Sequence, residues 1–372
     1  MMVLATIVKN RALPYLIVFL IWLVALVTKL HTNGLVYGLD YGLFHPDGTL
    51  YTFRSLTWLG RSQVEAGLEI SNWYSTHASK FTEFQPSSLY FENNSGWAIY
   101  NLRYLYPLLS LPFVAMFGVP GMLVIPALSM LVLMLCTYEI ARNFYLGSFG
   151  VLLVIFFSAS ITVNRWMFVN TADPLLTALV SIALVVYIKR ERLMHWQTML
   201  YLLVFLTSMT RFALFIWVAF GLVLLFKKER IAGSIVALIA FLSFLPTLFV
   251  DFAPSVLANK SDLPILDKVL AFPISLFRVA FFEIAQLVVL DRLLIFFLFC
   301  VTIVALSKWK SESSIFFFAA LISLWFTGAI NGVIGVNFRY QLPLIPFAIW
   351  VLAENQRYLV SGFKAYRLPR FR

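Results

Sequence analysis

The sequence predicts an all-α polytopic membrane protein with about ten transmembrane helices, and three observations carry that prediction. Apolar residues make up 61% of the chain and charged residues 12%, whereas a soluble domain is roughly half apolar and a quarter charged. Runs of about 15 to 22 apolar residues recur along the whole length, the size that crosses a hydrocarbon core of about 30 Å. The positive charge is also one-sided. With the N-terminus in the cytoplasm and strict alternation, the inner loops hold sixteen of the 28 lysines and arginines against five of the 17 acids, which is the entire net charge of +11. The outer segments are then balanced. The basic excess is therefore a topology signal, and it gives no support to a nucleic-acid partner.

In chain order, Lys9 and Arg11 precede a first span over Ala12–Leu30, which is too long for a signal-peptide core and has no small-residue cleavage site. A polar outer loop with juxtamembrane segments follows over 31–118. Within it Tyr104–Phe117 is apolar but short and twice interrupted by proline, so it is read as re-entrant or juxtamembrane. Further spans are expected at 119–140, 148–163, 174–188, 198–212, 213–226, 231–250, 291–307, 314–331 and 341–353. A second outer loop is placed at 251–290. In it Lys268–Leu290 is apolar enough to cross, yet one crossing there would invert the charge rule downstream. It is read as a surface-lying amphipathic segment carrying Arg278 and Glu283. Residues 354–372 form a short basic cytoplasmic tail, and the whole of 1–372 is one transmembrane domain. Cys136 and Cys300 lie inside apolar runs with no disulfide framework or ligand spacing. The four histidines form no metal motif.

The chemistry-bearing residues concentrate on the outer face. In Gly38-Leu-Asp-Tyr-Gly-Leu-Phe-His-Pro-Asp-Gly-Thr-Leu-Tyr51 there are two aspartates. Asp40 reads as a turn residue. Asp47, after Pro46, suits a helix N-cap. A helix from there would align Asp47, Tyr51, Arg54, Trp58, Arg61 and Glu65 on one stripe, with Leu50, Phe53 and Leu56 opposite. That is either an amphipathic helix offering a carboxylate and two arginines, or a solvated face behind a capping aspartate. Arg103 ends the loop, where a guanidinium fork suits a lipid phosphate as well as interfacial anchoring. Arg165 and Asp173 flank the outer turn between the third and fourth spans, and Asp173 before Pro174 would suffice as an N-cap. Arg211 and Arg339 stand at other outer span ends, where a charge must pair or snorkel. His77 and Lys80 are weak candidates. Trp58, Trp73 and Trp97 fit an interfacial belt or a sugar-stacking platform, and Asn93-Asn-Ser95 is a formal sequon.

The succession of these blocks resembles the GT-C-type integral-membrane glycosyltransferases, which include protein mannosyltransferase-like and aminoarabinose transferase-like enzymes. Asp47-Gly-Thr-Leu-Tyr51 resembles the first-loop Asp-Gly-x-x-Tyr signature, and Arg103-Tyr-Leu-Tyr-Pro-Leu-Leu-Ser-Leu-Pro112 the segment closing that loop. Thr171-Ala-Asp-Pro-Leu-Leu176 is similar to the acidic element of the second outer loop, and Arg339-Tyr-Gln-Leu-Pro-Leu-Ile-Pro346 to an Arg-Tyr-x-x-Pro-x-x-Pro span. Two departures stand out: Pro46 occupies a position more often aromatic, and a large C-terminal outer domain is absent. The resemblance implies a sugar moved, with inversion, from a polyprenyl-phosphate carrier to a glycan, lipid or protein acceptor at the outer leaflet of a plasma membrane, a bacterial inner membrane above all. It implies Asp47 as general base with Asp40 as rival, Asp173 assisting, and Arg103, Arg165, Arg211 and Arg339 for the carrier phosphate. No cofactor is implied. A divalent metal is left open, because the family varies. The alternatives are a flippase or transporter of a lipid-linked or anionic solute, and a non-catalytic subunit of polysaccharide assembly.

Overall fold

The computed structural model describes residues 12–32, 43–77, 102–144, 147–211, 213–248, 265–331 and 338–365. Among them the chain forms fifteen α-helices and no strand. The first, α1 (Leu13–His31), starts with Pro14 in its first turn, where the missing N–H costs nothing. Next come α2 (Pro46–Trp58), α3 (Gln63–His77) and α4 (Leu105–Phe117). A 3₁₀ turn over Val119–Leu123 leads into α5 (Val124–Asn143). Then α6 (Gly147–Ala159) bends by 77° into α7 (Ile161–Met167). The remainder are α8 (Asp173–Ile188), α9 (Trp196–Thr210), α10 (Leu214–Phe226), α11 (Arg230–Leu248), α12 (Ile265–Leu290), α13 (Arg292–Ser307), α14 (Glu312–Asn331) and α15 (Leu344–Ala365).

Each of the ten apolar runs returns as a helix or as the bent α6–α7 pair. Length separates them. Among the described residues three helices are long and apolar enough to cross a membrane: α1, the 3₁₀–α5 unit and α14. The bent α6–α7 pair makes a fourth if it is one span. Helices such as α8, α9, α10 and α13 have 16, 15, 13 and 16 residues, below the roughly 20 that a full crossing takes.

The packing is that of a bundle with a buried centre. α8 is apolar and buried nearly all round, as expected of a helix with neighbours on every side. It lies between α5 and α9, while α10 packs on α11 and α14, and α15 on α5, α13 and α14. α1 is peripheral: Leu16, Val24 and Val27 are exposed, and the Trp22 indole N–H donates to the Ala127 carbonyl to fasten α1 to α5. The α10–α11 crossing is close. A Cβ at Gly221 would meet the Gly233 carbonyl oxygen at 2.8 Å, and one at Gly233 would meet that of Gly221 at 2.6 Å. Only small residues let two helix backbones approach so nearly. Within the helices, Ser129, Thr137, Thr177 and Ser181 return their hydroxyls to the carbonyl four residues back. That satisfies each donor where water is absent.

Three expectations change. The stripe predicted from Asp47 to Glu65 is cut. α2 stops at Trp58, Gly60 turns at φ +90°, and α3 starts afresh at Gln63. α2 also packs into the bundle on both faces, with Tyr51, Thr52, Ser55 and Leu56 buried. In α12 Ile274, Phe277, Phe281 and Val289 face outward together with Arg278, while Glu283 is buried, so only one of the two charges lies on the exposed face. Finally, α15 continues to Ala365, beyond the expected start of the tail.

Candidate functional site

Four chain segments meet at one end of the bundle. The segment before α2 is fixed first. His45 has extended backbone and its Nδ1 accepts the Asp47 N–H at 3.2 Å, so His45 is the N-cap and Pro46 the first helical residue. Asp47 therefore lies inside the first turn, and the predicted N-cap role passes to His45. The adjacent proline was the available signal, since proline favours the position just after a cap. Asn170 locks this start to the loop before α8. Its Oδ1 accepts the His45 N–H at 2.7 Å, its Nδ2 donates to the Tyr74 hydroxyl at 3.1 Å, and its own N–H donates to the Leu43 carbonyl. A Cβ on Gly48 would lie 2.2 Å from the Asn170 side-chain nitrogen. Glycine is what allows the α2 start to press against that loop.

Asp173 is the first residue of α8; its cap position is Ala172, and no side chain caps the helix. The expected capping use of Asp173 is not made, which leaves the carboxylate for cations. Arg211 closes α9 in extended backbone and pairs with Asp173 Oδ1. Arg339 comes from the segment before α15. Its Nε donates to Asp173 Oδ2 at 2.7 Å and its Nη2 donates to Asp47 Oδ2 at 2.6 Å. One guanidinium fork thus joins the two aspartates, a geometry a lysine ammonium cannot copy. The residue before it, Phe338, is held at φ +65°, a left-handed conformation costly for a bulky side chain. Its N–H donates to the Glu283 carboxylate.

Aromatic rings line the cluster. Arg339 lies 5.1 Å from the Trp166 ring, and Arg211 lies 4.3 Å from the Tyr340 ring. The His45 and Trp166 rings are 5.6 Å apart. Such faces are favourable neighbours for desolvated guanidinium groups. Asp173, Arg211 and Arg339 are buried, whereas the Asp47 side chain keeps 30% of its surface open. Asp47 is the member an incoming molecule can reach. Beside Asp173, Arg211 and Tyr340 a void of about 10 Å³ remains, close to the room for one water.

Two arginines and two aspartates sum to no net charge, which is how such a group tolerates burial. Burial works against ionisation of Asp47. The Arg339 guanidinium, then His45 and Arg211, more than reverse this and hold the carboxyl well below the usual carboxylate range. His45 is pushed down to about 3, first by burial and then by Arg339, Arg165 and Arg211, against the pull of Asp47. Its imidazole is therefore neutral at physiological pH.

Of the seven residues singled out from the sequence, Asp47, Asp173, Arg211 and Arg339 come together directly. Arg103 stands beside them: it is buried and donates to the Tyr51 hydroxyl at 3.1 Å, one helical turn after Asp47. Arg165 stacks 4.6 Å over Trp166 at the edge of the same group. Asp40 lies outside the described residues, as do Lys80, Asn93-Asn-Ser95 and Trp97 and the side chain of His77. Trp73 packs on Phe44, and the exposed Trp58 stacks parallel to Tyr104 with Arg54 over both rings. Sequence reasoning passed over His45, Trp166 and Tyr340, each of which makes contact only through the fold. Among the described residues no three His, Cys, Asp or Glu side chains converge as a metal site. Comparison of the chain with family models, curated proteins and solved structures returns no match.

Proposed function

We propose that the chain is an integral-membrane glycosyltransferase of GT-C type, which moves a sugar from a polyprenyl-phosphate carrier to an acceptor at the outer face of the membrane. The observation that carries the reading is the Asp47–Arg339–Asp173–Arg211 cluster, in which one partly open carboxylate shares its arginine with a fully buried one. The reading takes the ten apolar runs as crossings, with both termini and the basic excess on the cytoplasmic side. In its support, the clustered residues stand at helix ends and not mid-helix, where a transport pathway would place them. On this reading the shorter helices require a locally thinned layer.

The chemistry follows from the charge balance. The leaving group is a phosphate, already a stable anion, so it needs cations more than a general acid. Arg339 and Arg211 supply them. As the carrier phosphate takes hydrogen bonds from Arg339, Asp47 loses the partner that keeps its proton affinity low. The carboxylate then becomes a better base at the moment the donor is seated. The acceptor hydroxyl gives its proton to Asp47, its oxygen forms a bond to the anomeric carbon, and the carbon–oxygen bond to phosphate breaks with the electron pair leaving on the phosphate. Asp173 stays ion-paired to Arg211 and anchors the arginines through the cycle. Neutral His45 and Asn170 fix the turn that aims Asp47. Arg103 and Arg165 extend the basic rim.

The test is transfer by the purified protein in lipid nanodiscs, supplied with polyprenyl-phosphate-linked sugar and read by release of free polyprenyl phosphate. Asp47→Asn keeps size and hydrogen bonding and removes the base; a loss of about 10² to 10⁴-fold is expected. Undiminished release by both Asp47→Asn and Arg339→Ala, at equal protein level, overturns the reading.

A further inference from the structure

The segment carrying Arg339 is a wall with two faces. Arg339, Tyr340 and Pro343 line the small void in the charged cluster, together with Leu324 and Thr327 of α14. Phe338, Gln341 and Leu344 line a separate cavity of about 570 Å³, with Leu321 and Trp325 of α14. Leu287 of α12 and Leu298 and Thr302 of α13 complete its walls. The volume is that of a small-molecule site. Ile284, Phe296 and Phe299 at its rim are exposed, so it opens sideways, onto the apolar flank of the bundle.

Gln341 and Trp325 bring uncharged polar atoms into this apolar lining. Gln341 is 4% exposed, and its Oε1 finds no hydrogen-bond partner among the described residues. The Trp325 indole N–H is buried in the same state. Buried polar atoms are seldom left so, because each has given up water for nothing. The two lie within reach of one small group. The Gln341 amide rests on Gly328, where a Cβ would meet its Nε2 at 3.3 Å. Trp325 precedes Gly328 by three residues, which puts it on the same face of α14, about 4.5 Å away along the axis. The indole offers a donor and the amide oxygen an acceptor. An alcohol satisfies both, its oxygen accepting from Trp325 while its hydrogen goes to Gln341. An ester or a phosphodiester only accepts, and would leave the amide oxygen as it is. A water would pair with both atoms, yet leave most of an apolar space of this size unfilled, at a cost in lost contacts.

Because the opening faces the apolar flank, the alcohol arrives as a bilayer lipid. We infer that the cavity binds diacylglycerol, the glycerolipid with nothing attached to its third oxygen, with that free hydroxyl between Trp325 and Gln341 and the acyl chains leaving beside Phe296 and Phe299. The Glu283 carboxylate, on the same lining, keeps the Phe338 N–H. The inference does not depend on the transfer reaction; it concerns the other face of the Arg339 wall, and its readout is binding.

Native mass spectrometry of the purified full chain tests it, with dioleoylglycerol, its acetyl ester on the free hydroxyl, dioleoylphosphatidic acid and a long-chain polyprenol as probes. Dioleoylglycerol and its ester share their chains, and only the first has a hydrogen to donate. About ten-fold tighter binding of the free alcohol is expected, the scale of one donor lost to a buried acceptor. Gln341→Leu removes the acceptor at similar volume and brings alcohol and ester to equal binding. Trp325→Phe keeps a ring, removes the N–H and weakens both. Thr302→Trp, which fills the cavity, removes binding of both. Should that variant not fold, the wild type and Gln341→Leu decide the matter alone. Equal binding of alcohol and ester by the wild type, or retention of neither, overturns the inference. So does tighter binding of the phosphatidic acid or the polyprenol, or a preference for the alcohol that survives Gln341→Leu and so reflects only the bulk of the acetyl group.

Discussion

At one end of the bundle Asp173 opens α8; at the other end, about 24 Å away along the same sixteen-residue helix, Tyr187 and Lys189 close it. Both ends carry charge networks. At the far end Glu139 takes Tyr15, Arg142 and Lys189, while Glu312 takes Tyr187 and Arg190, and Glu354 accepts the Ser313 N–H. The partners are of the same kinds as at the site, yet the exposure differs. Arg142, Arg190 and Lys189 keep 45%, 24% and 26% of their side-chain surface, against 7% and 5% for Arg211 and Arg339. A partly exposed pair stabilises less than its contacts suggest and can be replaced. A buried pair is hard to justify by stability, since apolar side chains of equal volume do as well or better. The far end therefore reads as a staple between helices. The site end holds charges whose retention needs a reason other than folding.

Removing one carboxylate from each end gives the largest contrast. Asp173→Ala leaves Arg211 and Arg339 buried with one shared anion, and a loss of about 3–5 kcal/mol is expected. Glu139→Gln should cost about 1 kcal/mol or less, because its partners turn to water. Thermal unfolding of the two variants in one detergent checks this, and comparable losses would erase the distinction between the ends. Arginine-to-lysine exchange is the next probe. Arg339 serves two carboxylates through different nitrogens, so Arg339→Lys should lower transfer by at least about ten-fold with the chain still folded. Arg190→Lys should leave transfer unchanged. A third probe alters no charge. Gly48→Ala pushes a methyl group into Asn170, which is expected to cost about 1–3 kcal/mol and to misaim Asp47, lowering transfer while the far end stays intact.

Most of the helical architecture was legible in hydrophobic runs, because apolar length and loop charge act locally along the chain. The site was legible in its charges and not in its geometry. Asp47, Asp173, Arg211 and Arg339 stand out as ionisable groups at the ends of apolar segments, and the fold unites them. Their local roles were misjudged for one physical reason. A carboxylate before or after a proline is most simply a cap, but a cap is a contact with the backbone, and a buried arginine outcompetes it. Hence His45 takes over the capping of α2, and Asp173 begins α8 without capping it. Glu283 was assigned to a surface-lying amphipathic segment because two charges in an apolar run look like the polar face of such a helix. Its partner, the Phe338 N–H, is 55 residues away in sequence, and no pattern within α12 announces it.

The mildest probe of the contrast is pH, which reaches the site end through His45. Burial and three arginines push this imidazole down to about 3, while in the unfolded chain it titrates near its ordinary value of about 6.5. Between those values the folded state binds fewer protons than the unfolded one. Stability from this group is thus complete above about pH 6.5 and declines steadily as the pH falls through the window. Asp47 contributes in the same direction but lower, its share being lost only below the ordinary aspartate range near 3.9. Acidification from pH 7 to 5 therefore draws on the His45 contribution, because the unfolded chain takes up that proton while the folded one does not, and leaves the Asp47 contribution in place. His45→Asn keeps an acceptor for the Asp47 N–H, since asparagine is a good N-cap, and removes the titrating group. Its unfolding temperature should vary less between pH 7 and 5 than that of the wild type, the difference being of the order of a few degrees. The transfer rate should show no inflection near pH 6.5 in either protein. An inflection there that vanishes in His45→Asn would mean that the imidazole is open to water, and that the end of the bundle holding Asp47 is no better shielded than the end holding Glu139.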